Sequence, residues 1–228
     1  MRRISQGRAK KIFGDSLVLW VDPTKINLYS GTAKPFVDHF ARKLAASGSL
    51  FRLARKILYP CEPFVIPGRY FRQAVPVENI ERYKKLEDII ANRENVQQSL
   101  WSKLLNDQLK KAGVAKHKAI RMYNASDINE FLDNYVLDLI NTLERNGYDS
   151  TKTNDCGSAQ IDDMGRLIKS DSGVHRFCAA RILKVKPFPI RVVGVHEKWL
   201  DLIGVSNCVV SSEHFKSALK NVEFKHQS

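Results

Sequence analysis

The chain has 228 residues, 43% of them hydrophobic, and carries a formal net charge of +13 at pH 7. This length and hydrophobic content suffice for a buried core, and the sequence contains no run of about 20 apolar residues that could cross a bilayer. The four cysteines are far apart and form no CxxC pair, so the composition indicates neither a zinc site nor a disulfide framework.

The positive charge is concentrated near the start of the chain. Residues 1–60 contain 12 Lys and Arg but only 3 Asp and Glu, so they hold +9 of the +13 net charge. Met1–Lys11 is predicted to be a flexible basic arm, which would attract any polyanion, whether nucleic acid or the head groups of anionic lipids. No secretory signal is visible, and a cytoplasmic location is expected by default.

The first third of the chain predicts a strand and then two helices. A strand is expected at Leu17–Val21, and residues 1–29 are assigned to the basic arm and this strand. Pro35–Tyr59 has the pattern of two basic amphipathic helices separated at Ser47-Gly48-Ser49. Their apolar stripes are interpreted either as packing on the core or as contacting an anionic membrane surface, and nucleic acid is a third alternative.

Residues 30–116 are predicted to form a mostly helical insertion or subdomain. A proline-rich connector at 60–76 is followed by a helical pattern over Val77–Lys111, which Gly113 ends. Residues 117–205 are assigned to an α+β core, in which Ser126 is expected to be the N-cap of a long helix. Residues 206–228 are assigned to a C-terminal helix.

The most informative stretch is 165–196, whose pattern predicts a strand, a tight glycine turn, a short helix and a second strand. The turn at Gly173 would bring His175 and Arg176 to the amino terminus of the helix. Unpaired backbone N–H groups and the positive end of the helix dipole lie at such a terminus. A glycine that allows close approach, with an arginine and a histidine beside it, therefore predicts a phosphate site.

Gly173-Val174-His175-Arg176, followed by Ala179-Ala180, resembles the phosphate-binding motif of the ParB/sulfiredoxin superfamily. The resemblance covers roughly 124–199, and the strand near Leu17 is similar to the opening strand of that fold. It implies a small mixed sheet with helices, and binding of ATP or another nucleoside triphosphate together with Mg²⁺. Members of the superfamily include partition CTPases, ATP-dependent sulfinate reductases and free-serine kinases.

Departures from the family pattern narrow the choice among these activities. Sulfiredoxins carry their catalytic cysteine between the glycine and the histidine, where this chain has Val174. Partition proteins continue into a DNA-binding domain, for which few residues remain after Trp199. Serine kinases carry an acidic residue just before the glycine, and Asp171 lies close to that position, displaced by Ser172.

Five neighbouring residues are therefore the candidates for binding and catalysis. Ser172, Gly173, His175 and Arg176 are predicted to hold the phosphates, Arg176 through a bidentate fork. Asp171 is the candidate metal ligand or general base, and His175 is a second catalytic candidate. A structural role for His175, tied to a backbone carbonyl, is the alternative.

Three further residues are weaker candidates. His196, at the end of the last strand, is expected either to face the same site or to act as a cap or core residue. Asp162 and Asp163 are expected to form a turn, with a contribution to Mg²⁺ binding as the alternative.

Two functions of different classes follow from these features. The first is a nucleotide-dependent phosphotransferase, kinase-like, that acts on an unidentified acceptor. The second is a non-catalytic module in which the same turn binds nucleotide or a nucleic-acid backbone, or in which the basic N-terminal third associates with an anionic membrane surface.

Overall fold

A computed structural model describes residues 4–45, 47–148, 156–205 and 212–227. The described residues form a mixed α+β fold, so the predicted class is confirmed. The strands are β1 (Val18–Val21), β2 (Leu28–Tyr29), β3 (Val65–Ile66), β4 (Val75–Pro76), β5 (Ala115–His117), β6 (Ile120–Met122), β7 (Gly157–Ile161), β8 (Leu167–Lys169) and β9 (Phe188–His196).

Seven of these strands form one sheet in the order β1-β9-β7-β8-β2-β4, with β3 beside the end of β9. Strands β7 and β9 are parallel, whereas β8 runs antiparallel to β7 and parallel to β2. The carboxyl end of β8 therefore lies at the same edge of the sheet as the amino ends of β7 and β9. The turn that follows β8 projects from this edge.

Helices surround the sheet. They are α1 (Gln6–Phe13), α2 (Pro35–Leu44), α3 (Gly48–Leu58), α4 (Glu81–Ala91), α5 (Leu100–Ala112), α6 (Ala125–Phe131), α7 (Asp138–Asn146), α8 (Val174–Ile182), α9 (Glu197–Leu202) and α10 (Ser212–Lys225). A π-helical segment, Leu132–Leu137, joins α6 to α7. Within the described residues, no helix has the length and apolar character needed to span a bilayer.

The insertion predicted at 30–116 contains helices α2–α5 but is not separate from the sheet. Strand β3 pairs with β9 and strand β4 pairs with β2. Buried side chains of the insertion, such as Leu86 and Trp101, belong to the same hydrophobic core as Ile190 of β9. The insertion and the predicted 117–205 core therefore share one sheet and one hydrophobic core.

The predicted flexible arm is helical from Gln6 onward, which corrects that expectation; residues 1–3 lie outside the described part of the chain. The side chain of Ser5 caps α1, and Ala9 and Phe13 are buried on one face of the helix. The ring centroid of Phe13 lies 4.9 Å from that of Phe215 in α10. Burial of Ala9 and Phe13, which are four residues apart and share one face of the helix, anchors α1 to the core.

The N-cap predicted at Ser126 is also wrong. Asn124 is the N-cap of α6, and its side-chain oxygen accepts a hydrogen bond from the backbone N–H of Asp127 at 2.9 Å. The Asp127 carboxylate in turn accepts from the N–H of Tyr123 at 2.7 Å. Glutamate in a capping box accepts from the N–H of the N-cap residue, whereas Asp127 accepts from the residue before it; both hydrogen bonds favour a helix that begins earlier than predicted.

Candidate functional site

The candidate site is built on the turn Ser170–Gly173, which joins β8 to α8. Gly173 has a φ of +67°, and a Cβ atom at this position would lie only 2.9 Å from the Cα of Gly157. A glycine is required here for both reasons, because other residues rarely adopt this φ and because the turn passes directly against the start of β7. The close approach fixes the amino terminus of α8 against the edge of the sheet.

Two buried polar side chains hold the turn in place. Lys169 is fully buried, and its ammonium group donates hydrogen bonds to the carbonyl oxygens of Ser170 and Ser172. The hydroxyl oxygen of Ser158 lies 2.6 Å from that of Ser170 and accepts from the N–H of Ser172 at 3.2 Å. The sequence pattern predicted a role for neither residue, although a lysine that ends an apolar strand is a usable indication.

Asp171 lies at the centre of the site. One carboxylate oxygen accepts a hydrogen bond from the N–H of Ala33 at 3.1 Å, and the other lies 3.9 Å from a guanidinium nitrogen of Arg55. The aspartate side chain is 37% exposed. It lines two cavities, one of about 570 Å³ and the other of about 390 Å³. Asp171 therefore separates two spaces that are each large enough for a small molecule.

The smaller cavity lies at the amino terminus of α8. Its cationic side chains are Arg82, Lys118 and Arg176, and Gly173 and His175 also line it. Asp171 is the sole carboxylate among the described residues of this lining. Three cations at a helix amino terminus form a favourable environment for phosphate oxygens.

The larger cavity is also cationic. Among the described residues, Lys10, Lys34, Arg55 and Arg191 supply its positive charges, and Asp171 supplies its one negative charge. Further polar groups come from Gln6, Ser158 and Ser172. The excess of positive charge favours a ligand that carries a carboxylate, phosphate or sulfate.

Two buried ionisable side chains, Lys34 and Glu62, lie near the start of α2, and Lys34 lines the larger cavity. The ammonium group of Lys34 lies 3.0 Å from the ring centroid of Tyr59, and burial lowers the pKa of this lysine to about 8. The carboxylate of Glu62 accepts the N–H groups of Phe36 and Val37 at the start of α2. Burial raises the pKa of Glu62 to about 7.

His175 belongs to an aromatic cluster rather than to the cationic group. Its ring is stacked on that of Trp101, with centroids 5.9 Å apart, and lies 5.3 Å from the ring of His117. Burial lowers the pKa of His175 to about 3 and that of His117 to about 4. Both imidazoles are therefore neutral at pH 7, and His175 adds no positive charge to the smaller cavity.

These two histidines make the free energy of unfolding depend on pH. The unfolded chain binds protons at them near pH 6.5, whereas the folded protein does so only below about pH 4. Stability should therefore fall as the pH decreases from about 6.5 to about 4. Replacing His117 with Phe should remove roughly 2 kcal/mol of that fall.

Urea unfolding of the wild type and of His117→Phe, each at several values between pH 4 and pH 6.5, measures this effect. His39→Phe, a substitution of an exposed histidine, is the matched control. An identical pH dependence in the wild type and His117→Phe would contradict the prediction.

His196 does not join this site, which corrects the expectation that it faces His175. It ends β9, and the carboxyl end of β9 lies at the opposite edge of the sheet because β8 is antiparallel to β7. Its Nδ1 accepts the N–H of Lys198 at 3.1 Å, and its ring contacts that of Phe71. His196 therefore caps α9, which is the alternative that the sequence left open.

Asp162 lies at that opposite edge as well, in the hairpin between β7 and β8. Its carboxylate accepts the N–H groups of Met164 and Arg166 and pairs with the guanidinium of Arg166 at 2.7 Å. These bonds assign Asp162 to the turn rather than to Mg²⁺. Across the described ranges, no group of three or more His, Cys, Asp or Glu side chains is placed to hold a metal ion.

Comparison with known proteins finds no relative. No protein-family model matches the sequence, and neither a curated protein nor a solved structure shows significant similarity to it. What the structure itself defines is a mixed α+β protein with two cationic cavities that meet at one aspartate. The resemblance to the ParB/sulfiredoxin superfamily stays a prediction that depends on the 173–176 motif.

Proposed function

We propose that this protein is a nucleotide-dependent phosphotransferase that binds the phosphates in the smaller cavity and an anionic acceptor in the larger one. The observation that carries the proposal is the position of Asp171, which lines both cavities. A group at the junction of a donor space and an acceptor space is placed to act on the atom that is transferred between them.

Phosphate binding is assigned to the amino terminus of α8. Arg82, Lys118 and Arg176 line the space in front of the helix, and Arg176 offers the planar fork that fits two phosphate oxygens. Neutral His175 contributes a hydrogen-bonding ring edge beside them. The resemblance of this turn to the ParB/sulfiredoxin motif supports the same assignment.

Asp171 is proposed as the general base. Its hydrogen bond with Ala33 orients the carboxylate, and the second oxygen, which lies 3.9 Å from a guanidinium nitrogen of Arg55, is the atom that would accept the proton of an acceptor hydroxyl. As that hydroxyl oxygen bonds to the terminal phosphorus, the bond to the bridging oxygen breaks and the nucleoside diphosphate leaves with the electron pair. Catalysis of this kind comes mainly from positioning and from stabilisation of charge.

Asp171 is the carboxylate that this site offers to Mg²⁺. The ion commonly binds one or two carboxylates together with substrate phosphates and waters, and Asp171 supplies one such carboxylate. When bound, Mg²⁺ would neutralise charge on the phosphates.

A cytoplasmic location is part of the proposal. Cys61, Cys156 and Cys178 are free thiols in the structure, and thiols stay reduced in the cytoplasm.

A thermal-shift screen tests the nucleotide site. The wild type is measured with ATP, CTP, GTP or ADP in the presence of Mg²⁺, and a ligand at a hundredfold excess over its Kd should stabilise it by about 2.7 kcal/mol. Arg176→Ala should lose this shift because the phosphates lose their fork. Arg145→Ala, which removes an exposed arginine of α7, is the matched control and should keep it.

Either of two results would overturn the assignment. If none of the nucleotides raises the melting temperature of the wild type, the protein does not bind these nucleotides. If the shift persists in Arg176→Ala, the phosphates bind elsewhere.

A further inference from the structure

The second of the two basic helices, α3, presents aliphatic side chains to solvent. Leu50, Leu53 and Ile57 are 68%, 55% and 66% exposed, and Leu44 at the end of α2 is 72% exposed. Their spacing along α3 places Leu50, Leu53 and Ile57 on one face of the helix. These four side chains are named the α3 face.

Folding does not explain this composition. The described residues of α3, Gly48–Leu58, include no buried residue. Leaving large aliphatic side chains in water gives up the stabilisation that their burial would provide. Large aliphatic side chains exposed on one face of a helix are typical of a surface that contacts a partner or a membrane.

The α2–α3 hairpin also contributes side chains to two cationic grooves. Arg52, Arg55, Lys56 and Tyr59 line a groove of about 240 Å³ on α3 itself. A second groove, of about 360 Å³, contains four cations, Arg42, Lys43, Arg69 and Arg72. Among the described residues that line either groove, none is acidic.

We propose that the α2–α3 hairpin docks on an anionic lipid bilayer. The α3 face enters the boundary between head groups and acyl chains, and the two cationic grooves hold lipid phosphates or carboxylates. Aliphatic side chains with flanking Lys and Arg are the combination by which amphipathic helices bind such surfaces.

Other occupants fit the surface less well. Nucleic acid binds cations through its phosphates, and exposed leucines contribute nothing to that contact. A second copy of this chain, related by a two-fold axis, would bring the same cationic grooves against each other, and like charges in contact are costly. An anionic bilayer satisfies both the aliphatic and the cationic parts.

Docking would also orient the candidate site. Arg55 and Tyr59 line both the groove on α3 and the larger cavity. The larger cavity would then lie next to the membrane surface.

Vesicle flotation tests the proposal. The full-length protein is mixed with phosphatidylcholine vesicles prepared with or without phosphatidylserine. The wild type should float only with the phosphatidylserine vesicles. The α3-face variant, Leu50→Gln/Leu53→Gln/Ile57→Gln, should reduce the bound fraction at least about tenfold. The charge variant, Arg52→Gln/Lys56→Gln, should reduce it as much, because each lost charge weakens binding roughly fivefold. Glutamine is a good helix former, so the hairpin should persist.

The control removes exposed leucines elsewhere on the protein. Leu100→Gln/Leu104→Gln/Leu202→Gln, on α5 and α9, should bind vesicles as the wild type does. Failure of the wild type to float overturns the proposal, and so does unchanged binding by the α3-face variant. If the wild type dimerises in sedimentation and the α3-face variant does not, the surface is assigned to a second copy. If the wild type retains a short DNA duplex and only Arg52→Gln/Lys56→Gln abolishes this retention, the surface is assigned to nucleic acid.

Discussion

Replacing Asp171 with Asn is expected to lower phosphoryl transfer by about 10²- to 10⁴-fold while nucleotide binding is kept or strengthened. Asn can still accept the hydrogen bond from the N–H of Ala33, so the turn should keep its geometry. It has no basic oxygen, however, and cannot take the acceptor proton. Removing the carboxylate also removes the one negative charge that repels phosphate among the described residues of the smaller cavity.

Release of inorganic phosphate from bound ATP measures turnover, with water as acceptor when none is supplied, and calorimetry measures binding in the same samples. Asp163→Asn, in the hairpin at the opposite edge of the sheet, is the matched control and should behave as the wild type. If Asp171→Asn turns over normally, Asp171 is not the base. If it loses binding as well, the aspartate holds the nucleotide, through Mg²⁺, rather than activating the acceptor.

Replacing Lys169 with Met is expected to lower the free energy of unfolding by about 2–5 kcal/mol. The lysine is fully buried and its ammonium group satisfies the carbonyl oxygens of Ser170 and Ser172. Met fills a similar volume but donates no hydrogen bond, which would leave these acceptors buried without that donor. The Ser170–Gly173 turn should therefore loosen, and any nucleotide affinity should decrease with it.

Urea unfolding measures the change, and Lys103→Met, on the exposed surface of α5, is the control. A loss of stability in Lys103→Met equal to that in Lys169→Met would show that burial of the ammonium group is not the cause. Unchanged stability in Lys169→Met would mean that water reaches the two carbonyls and replaces the lysine.

Local patterns predicted the elements around the candidate site. The glycine at 173, the helical spacing after it and the β-branched run at 190–195 predicted the turn, α8 and β9 in the correct order. Strands β3 and β4 were missed because each has two residues, too few for any periodicity to appear. Helix α1 was missed because its basic residues are more conspicuous than Ala9 and Phe13, whose burial depends on α10.

The site itself could be predicted only where its residues are neighbours in sequence. Asp171, Ser172, Gly173 and Arg176 lie together because the turn leads directly into the first turn of α8. His196 was misplaced because the edge that a strand end reaches depends on the direction of its partners, which no local pattern gives. Arg82, Lys118 and Lys34 come from distant parts of the insertion and the β5–β6 hairpin, and their convergence is a property of the tertiary fold.

The contacts between α2 and α3 have a consequence for how this hairpin can evolve. Asp38 pairs with Arg55 at 2.6 Å, and the ammonium group of Lys34 lies over the ring of Tyr59. The carboxylate of Glu62 accepts a hydrogen bond from the N–H of Val37 at the start of α2. The Asp38–Arg55 ion pair thus joins the two helices, and Lys34 and Glu62 join the segments that flank them. Leu50, Leu53 and Ile57 are each more than half exposed, so substitutions at these positions among descendants of this protein would be constrained more by what the hairpin contacts than by folding.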